Sequence, residues 1–356
     1  MLATLSIATA AVLTAPAAGL LGYRQLKRAR FAEQLRITTP QGIDESGFVR
    51  INGLDVWVSV RGEDRRNPVI VEIHGGPGAS HLIHLPRTRA WERHFTIVRW
   101  DMRGAGFTFA NAPEAQGELT LDQLERDALE VVRHARERLG VEKVLLVANS
   151  FGTVTGLRLA RRHPELFSAY VGTDQNVIEG GRNRTAYDAL VARLRAAGRK
   201  KQLAAVLAMG SDRTARTTAQ ADEFNKLLIT TDPLSFDTMK TVVVRGLWFS
   251  PLHTLRGLRS YMKAMHASLG LQLQAADVDE RAEGTEFRIP FFVFQGDADV
   301  LTPPEPARRL VEDVTAPVKE FALIRDASHF AGFRHPDQFL DLLLTKVRPA
   351  LELATA

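Results

Sequence analysis

The chain contains no cysteine in its 356 residues. A thiol nucleophile, a thiolate metal site and a structural disulfide are excluded together. The redox compartment stays open, because a chain without thiols tolerates either environment. The excess of one sign of charge is also small, with 46 Lys and Arg against 41 Asp and Glu and a net of +5. There is no internal repeat, no glycine at every third position and no low-complexity tract beyond an alanine-rich start, which removes solenoids and collagens. At 45% hydrophobic and 24% charged residues, the composition belongs to a globular protein with a large core and not to a disordered chain. The length fits one large domain with an insertion, or two domains that share an interface.

The small basic surplus is concentrated. Arg24, Lys27, Arg28, Arg30 and Arg36 face only Glu33, so the rest of the chain is near neutral. A nucleic-acid reader spreads its basic residues over a folded face, with aromatics or a recognition helix among them. Neither is found, and no nucleic-acid partner is expected. Before the cluster, Met1–Tyr23 is an uncharged run of 23 residues, long enough to cross a bilayer as a helix. The positive residues that follow imply a membrane-associated protein: residues 2–23 form an anchor, residues 24–45 a basic linker, and the remaining chain lies in the cytoplasm. A cleaved export signal is an alternative, with Ala15-Pro16-Ala17 as a small-residue site, although no Lys or Arg precedes the run. A buried or disordered arm is a third reading.

From residue 46 onward the pattern becomes one of strands, then of strands alternating with helices. Residues 48–51 and 54–60 alternate apolar with polar across Asn52-Gly53, a strong signal for an antiparallel hairpin. Short, nearly continuous apolar runs follow at 69–73, 95–100, 144–147, 170–171, 291–294 and 321–324, as expected of parallel strands buried on both faces. A helix is predicted over 121–139, with Thr120 and Gln123 as a capping box and Gly140 as its stop. The order implies a mostly parallel, doubly wound α/β sheet. Residues 178–286 break the rhythm with amphipathic helices around 183–197, 200–209, 218–229, 236–247 and 253–268, which reads as a helical cap. The cap therefore interrupts a core made of residues 46–177 and 287–356, closed by a helix from Pro336 to about Leu351.

Open α/β sheets bind ligands at strand ends. Val144–Val147 runs through Ala148-Asn149-Ser150-Phe151-Gly152 into a helix, the context of a nucleophilic serine on a sharp strand-to-helix turn. Alanine stands where the pattern G-x-S-x-G has its first glycine, and Ser150 as a plain helix N-cap is the competing reading. A serine needs a base and a carboxylate to orient that base. Gly296-Asp297-Ala298-Asp299 follows one late strand and His329 follows the last, so the order serine, acid, histidine holds with either Asp297 or Asp299 as the acid. The other aspartate would make a turn-stabilising hydrogen bond. His74-Gly75-Gly76-Pro77-Gly78 ends the strand at 69–73. Its glycines let the backbone approach a substrate, and an amide there can pair with that of Phe151 to hold an oxyanion. A phosphate-cradling loop would need a Gly-Lys-Ser/Thr ending, which is missing. His81 and His84 have metal-like spacing but no third ligand, so neither a metal nor a cofactor is expected.

Taken together, His74–Gly78, Trp100-Asp101-Met102-Arg103-Gly104-Ala105-Gly106-Phe107-Thr108, Asn149–Gly152, Gly296–Asp299 and His329 resemble the proline iminopeptidase-like α/β-hydrolases over about residues 46–350. The resemblance implies a triad of Ser150, Asp299 and His329, an oxyanion hole from the amides of Gly76 and Phe151, and a helical cap. It selects Asp299 over Asp297, and it makes Asp101 and Arg103 structural supports, with an Asp–Arg pair fixing their loop. The implied activity is a serine aminopeptidase that releases N-terminal proline or small residues from short peptides. Such an enzyme holds the free amine with acidic cap residues, for which Asp222, Glu223, Asp232 and Asp237 are available. The cap's Leu247, Trp248, Phe249, Leu252 and Met265 would equally line a site for a small apolar ester, amide or lactone. A binding protein on the same scaffold would lack a member of the triad. An aspartate-nucleophile hydrolase is ruled out by Ser150.

Overall fold

The computed structural model describes residues 2–353, with side chains placed for 18–351. It begins with a long helix, α1 (Leu2–Gln34). The expected anchor falls largely on residues whose side chains lie outside those described. Among the described residues, no helix is long and apolar enough to cross a membrane.

The basic segment expected to be a linker is helical as far as Gln34. The reason is a docking contact. Arg24 and Arg28 lie one turn apart on the same helix face. Arg24 donates to the carbonyls of Trp248 (2.9 Å) and His253 (2.7 Å), and Arg28 to those of Ser250 (3.0 Å) and Pro251 (2.8 Å). Tyr23 packs edge-on against Phe249 at 5.7 Å.

Eight strands form one sheet: β1 (Ile43–Ile51), β2 (Leu54–Gly62), β3 (Val69–Ile73), β4 (Thr96–Trp100), β5 (Val144–Asn149), β6 (Phe167–Thr173), β7 (Phe291–Gly296) and β8 (Lys319–Ile324). Their spatial order is β1-β2-β4-β3-β5-β6-β7-β8. Only β2 runs against its neighbours, and the pairs from β4 to β8 are parallel. The Asn52-Gly53 turn has positive φ at both residues, 44° and 80°, the mirror-image geometry that matches strand twist.

Because side chains alternate along a strand, β5 sends Val144, Leu146 and Ala148 to one core and Leu145 and Val147 to the other. The first core is closed by α3 (Leu121–Leu139), α4 (Gly152–Arg162) and α12 (Pro304–Asp313), after the short α2 (Gly106–Asn111). The second is closed by Phe339, Leu343 and Val347 of the C-terminal helical segment.

Between β6 and β7 stand α5 (Thr185–Ala196), α6 (Lys200–Met209), α7 (Thr218–Thr230), α8 (Pro233–Thr238), α9 (Arg245–Phe249), α10 (Leu255–Ala267) and α11 (Gly270–Ala276). A π-helical stretch, Met239–Val244, joins α8 to α9, so the helix expected around 236–247 is a composite. The sequence pattern did not register α11. It is one short segment opened by glycine, with only Leu271, Ala275 and Ala276 buried.

The alanine in the serine turn has a local explanation. A Cβ built on Gly156 of α4 would lie 2.5 Å from the Cβ of Ala148 and 3.1 Å from Tyr170 Cε2. The methyl absent from the helix thus makes room for the one present on the strand. Gly156→Ala is expected to destabilise the protein by roughly 1–3 kcal/mol in urea unfolding, and Ala148→Gly added to it should recover part of that loss. Strict additivity of the two substitutions would show that the two positions do not share this space.

Candidate active site

Loops from the carboxyl ends of β3, β5, β6, β7 and β8 meet over the sheet. After β5, Ser150 sits in the left-handed region at φ 50°. Such a conformation costs a non-glycine residue about 1–3 kcal/mol and persists only where its surroundings impose it. Here they do. The Ser150 amide donates to Thr173 O at 3.0 Å, and its carbonyl accepts from the amide of Thr153 at 3.0 Å and the hydroxyl of Thr153 at 2.6 Å. Phe151, not Ser150, occupies the N-cap position of α4, so the Ser150 side chain is free to point elsewhere.

It points at His329. Ser150 Oγ lies 2.9 Å from His329 Nε2, and His329 Nδ1 lies 2.8 Å from Asp299 Oδ2. The Asp299 carboxylate is fixed from several sides. Leu301 N (2.9 Å) and Thr302 N (3.0 Å) donate to Oδ1, while Thr302 Oγ1 (2.7 Å) and Gln295 Nε2 (3.3 Å) donate to Oδ2. Asp297 turns away and accepts from Ala327 N at 3.2 Å, the role of a loop-bracing aspartate.

A second carboxylate reaches the same histidine, and the sequence reading did not single it out. Asp174 follows β6 directly and is fully buried. It accepts from Asn149 Nδ2 (2.8 Å), Phe330 N (3.0 Å) and Ala331 N (3.3 Å). Its signal was an acidic residue placed just past the buried strand at 170–171, the same kind of position that marked Asp299. Atoms of Asp174, Asp299 and His329 lie within 4.8 Å of one another. That spacing could suit a cation, but their lone pairs already receive the amide, hydroxyl and imidazole donors just described. Burial alone would hold the His329 pKa down; the charges of Asp299 and Asp174 outweigh it and raise the pKa to about 9. Burial also raises Asp174, to about 6.

The loop His74–Gly78 is held beside the serine by hydrogen bonds from below. His74 Nε2 accepts from Met102 N at 2.9 Å, so its proton sits on Nδ1 and is donated to Gly75 O at 2.7 Å. Burial, helped by nearby His81, lowers the His74 pKa to about 3 and keeps the ring neutral. The Gly75 amide donates to His81 Nε2 at 3.2 Å, and His81 Nδ1 bonds Glu72. Glu72 also accepts from Arg99 Nε at 2.7 Å. Burial pushes its pKa up, but Arg99 and His81 more than offset this and bring it to about 2. A side chain at Gly75 would lie 2.8 Å from Asn149 Oδ1 and 3.0 Å from Ser150 Cβ, so only glycine allows this approach. His84, the other member of the metal-like pair, stacks on Phe333 at 4.1 Å.

Asp101 and Arg103 brace this region separately and not as the expected pair. Asp101 Oδ2 accepts from Phe107 N at 2.6 Å. Arg103 instead forms a two-pronged bond to Asp127 of α3 (2.8 and 3.3 Å) and donates to Gln116 O at 2.6 Å. An arginine two residues from an aspartate found a better-placed carboxylate on a neighbouring helix.

Residues 68–336 match the family described as the alpha/beta hydrolase fold. Curated relatives include a probable aminopeptidase of Bacillus subtilis (28% identical over 129 residues, 36% of this chain and 40% of that protein). A proline iminopeptidase of Thermoplasma volcanium is 29% identical over 119 residues, 33% of this chain and 38% of that protein. The chain thus spans about two fifths of the length of these relatives. Among solved structures, a bacterial membrane phospholipase A aligns at TM-score 0.59 with 17% identity, over 97% of this chain and 96% of that one. A proline iminopeptidase-related protein of Thermus thermophilus aligns at 0.55 with 22% identity, over 87% and 98%. At these identities the structural likeness speaks for the fold.

The geometry gives a titration test. The His329 imidazole is expected to titrate near 9 by NMR, and Asp174→Asn, by removing one of two nearby negative charges, should move it down by about one pH unit. An unchanged titration would show that Asp174 has no electrostatic hold on the ring.

Proposed function

The chain belongs to the α/β-hydrolase family, and we propose that it is a serine hydrolase that forms an acyl-enzyme on Ser150. The observation that carries this reading is the unbroken line from Ser150 Oγ through His329 to Asp299, at 2.9 and 2.8 Å. In the proposed reaction His329 takes the Ser150 proton as the hydroxyl attacks a carbonyl carbon, then delivers it to the leaving group. Water, activated by the same ring, releases the acyl group. Asp299 orients the ring and stabilises its cationic form. The amides of Gly76 and Phe151 receive the developing oxyanion. Among the described residues neither amide has an acceptor, which suits that task.

For the substrate, the geometry favours a carboxylic ester or related acyl compound. A peptidase acting on a free N-terminus needs a carboxylate to hold the amine, and the four cap acids named from the sequence are placed elsewhere. Glu223 pairs with Lys226, Asp237 with Arg334, Asp232 caps α8 at Ser235 N, and Asp222 is exposed. Release of N-terminal proline is the second reading, favoured by the names of the relatives and by the His74–Gly78 motif. Membrane association belongs to the same proposal, supported by the exposed Leu20, Leu21 and Leu26 on α1.

Ser150→Ala is expected to lower hydrolysis at least about a thousandfold and to abolish labelling by a fluorophosphonate; persistent labelling would end the proposal. Asp299→Asn should cost more activity than Asp297→Asn, and the reverse ranking would reassign the acid. Because proton removal needs a neutral His329, kcat/KM should climb through neutral pH toward about 9; a flat profile there argues against this base. In a panel of short esters and prolyl reporters, faster ester cleavage supports the favoured substrate class, and faster proline release supports the second.

A further inference from the structure

In the sheet domain the buried arginines that the preceding sections describe each have a carboxylate, whereas buried Arg24 of α1 donates to main-chain carbonyls. Arg99 has Glu72 and Arg103 has Asp127. Two arginines of the cap break that rule, and both line one cavity between α5, α7, α11 and the loops that follow β6 and β7. Arg216 is 6% exposed. Its guanidinium lies over the Phe224 ring at 3.9 Å and donates once, to Gly210 O at 3.0 Å, and its buried Nε has no acceptor among the described residues. Arg213 is half-buried and, among the described residues, has neither a hydrogen bond from its side chain nor an ion pair. Among the described residues, the cavity wall contains no Asp or Glu.

The acids that come near are engaged. Glu280 accepts the amides of Ile178 (2.8 Å) and Glu179 (2.9 Å), and Asp212 the amide and hydroxyl of Thr214 (2.9 and 2.7 Å). Burial and the charge of Arg213 bring the Arg216 pKa to about 10, so it stays cationic near neutrality. Two like charges drawn from water with no carboxylate in contact are costly, even with Glu280 attracting Arg213 and Asp212 attracting Arg216 from farther off, and an anion in the cavity relieves that cost.

The cavity also adjoins the catalytic line. Its wall includes Gln175, the residue after Asp174, and Thr302. The Thr302 hydroxyl is 2.7 Å from Asp299 Oδ2 and 3.2 Å from His329 Nδ1.

We propose that this cavity is an oxyanion subsite, in which Arg213 and Arg216 hold a carboxylate or phosphate at the far end of the substrate of Ser150. The inference rests on the serine-hydrolase reading and narrows it to anionic acyl compounds. A guanidinium fork donates to either oxyanion, and two cationic forks repel an ammonium group.

The test compares para-nitrophenyl hemiglutarate with the neutral para-nitrophenyl pentanoate, and measures the binding of glutarate and of glycerol phosphate to the Ser150→Ala protein by calorimetry. The wild-type enzyme should prefer the hemiglutarate in kcat/KM. Arg213→Gln, which removes no observed contact, should cut that preference roughly 10- to 100-fold, with Arg213→Lys retaining part of it. Which free anion binds more tightly identifies the group the subsite takes. A preference for the neutral ester that Arg213→Gln leaves alone, or no binding of either anion, overturns the subsite. Failure of the wild type on both esters, with anion binding intact, would instead sink the hydrolase reading and leave the subsite standing.

Discussion

A single strained residue organises the centre of this protein. Ser150 holds a left-handed backbone between a strand buried on both faces and a helix that starts at once. That turn is stable only because its neighbours close in on it from every side. The loop after β3 comes near enough to forbid a side chain at Gly75, and α4 comes near enough to forbid one at Gly156. The conformational cost of the turn is offset by packing on both faces of the sheet, and in return the hydroxyl stands clear of the helix it precedes. The glycines, the buried ladder of Glu72, His81 and Arg99, and the tautomer of His74 all serve the position of that one oxygen and of the amides beside it.

The histidine opposite is governed by charge more than by shape. Two buried carboxylates from different strand ends, Asp299 and Asp174, act on it. Only Asp299 bonds it directly; Asp174 is neutralised in part by three donors and is itself pushed toward the protonated form by burial. The ring therefore sits in a field whose strength depends on whether the second carboxylate is ionised. In the proposed acylation, such a field favours the imidazolium that forms as the serine loses its proton.

Most of the sheet was legible in the sequence because strands buried on both faces write nearly continuous apolar runs, and the residues that meet at Ser150 lie just beyond those runs. The hairpin was legible because Asn52-Gly53 allows few other turns. What stayed hidden were pairings that depend on strand order. Nothing near Glu72 announces that β4, bearing Arg99, will lie beside it, and nothing near Arg103 points to Asp127 on α3 in preference to Asp101. Asp174 went unread for the same reason: its histidine lies 155 positions on in the chain, and only the adjacency of β6, β7 and β8 joins them. The helix through residues 24–34 was hidden too, since its partners are main-chain carbonyls, which carry no sequence signature.

Those carbonyls give the N-terminal helix an unusual hold. Arg24 and Arg28 grip the backbone oxygens of Trp248, Ser250, Pro251 and His253, and among the described residues none of their bonds reaches the sheet. Main-chain oxygens are indifferent to side-chain replacement, so these four bonds survive sequence drift on the cap's side, whereas the contacts of Tyr23 with Phe249 and of Arg24 with Trp248 do not. Mechanically, the helix is tied at two places: to the cap through these arginines, and to the core at its end, where Arg89 donates to Gln34 O and Arg61 of β2 to Leu35 O. Any surface that fixes or tilts the helix therefore loads the cap and the β2 side of the core together.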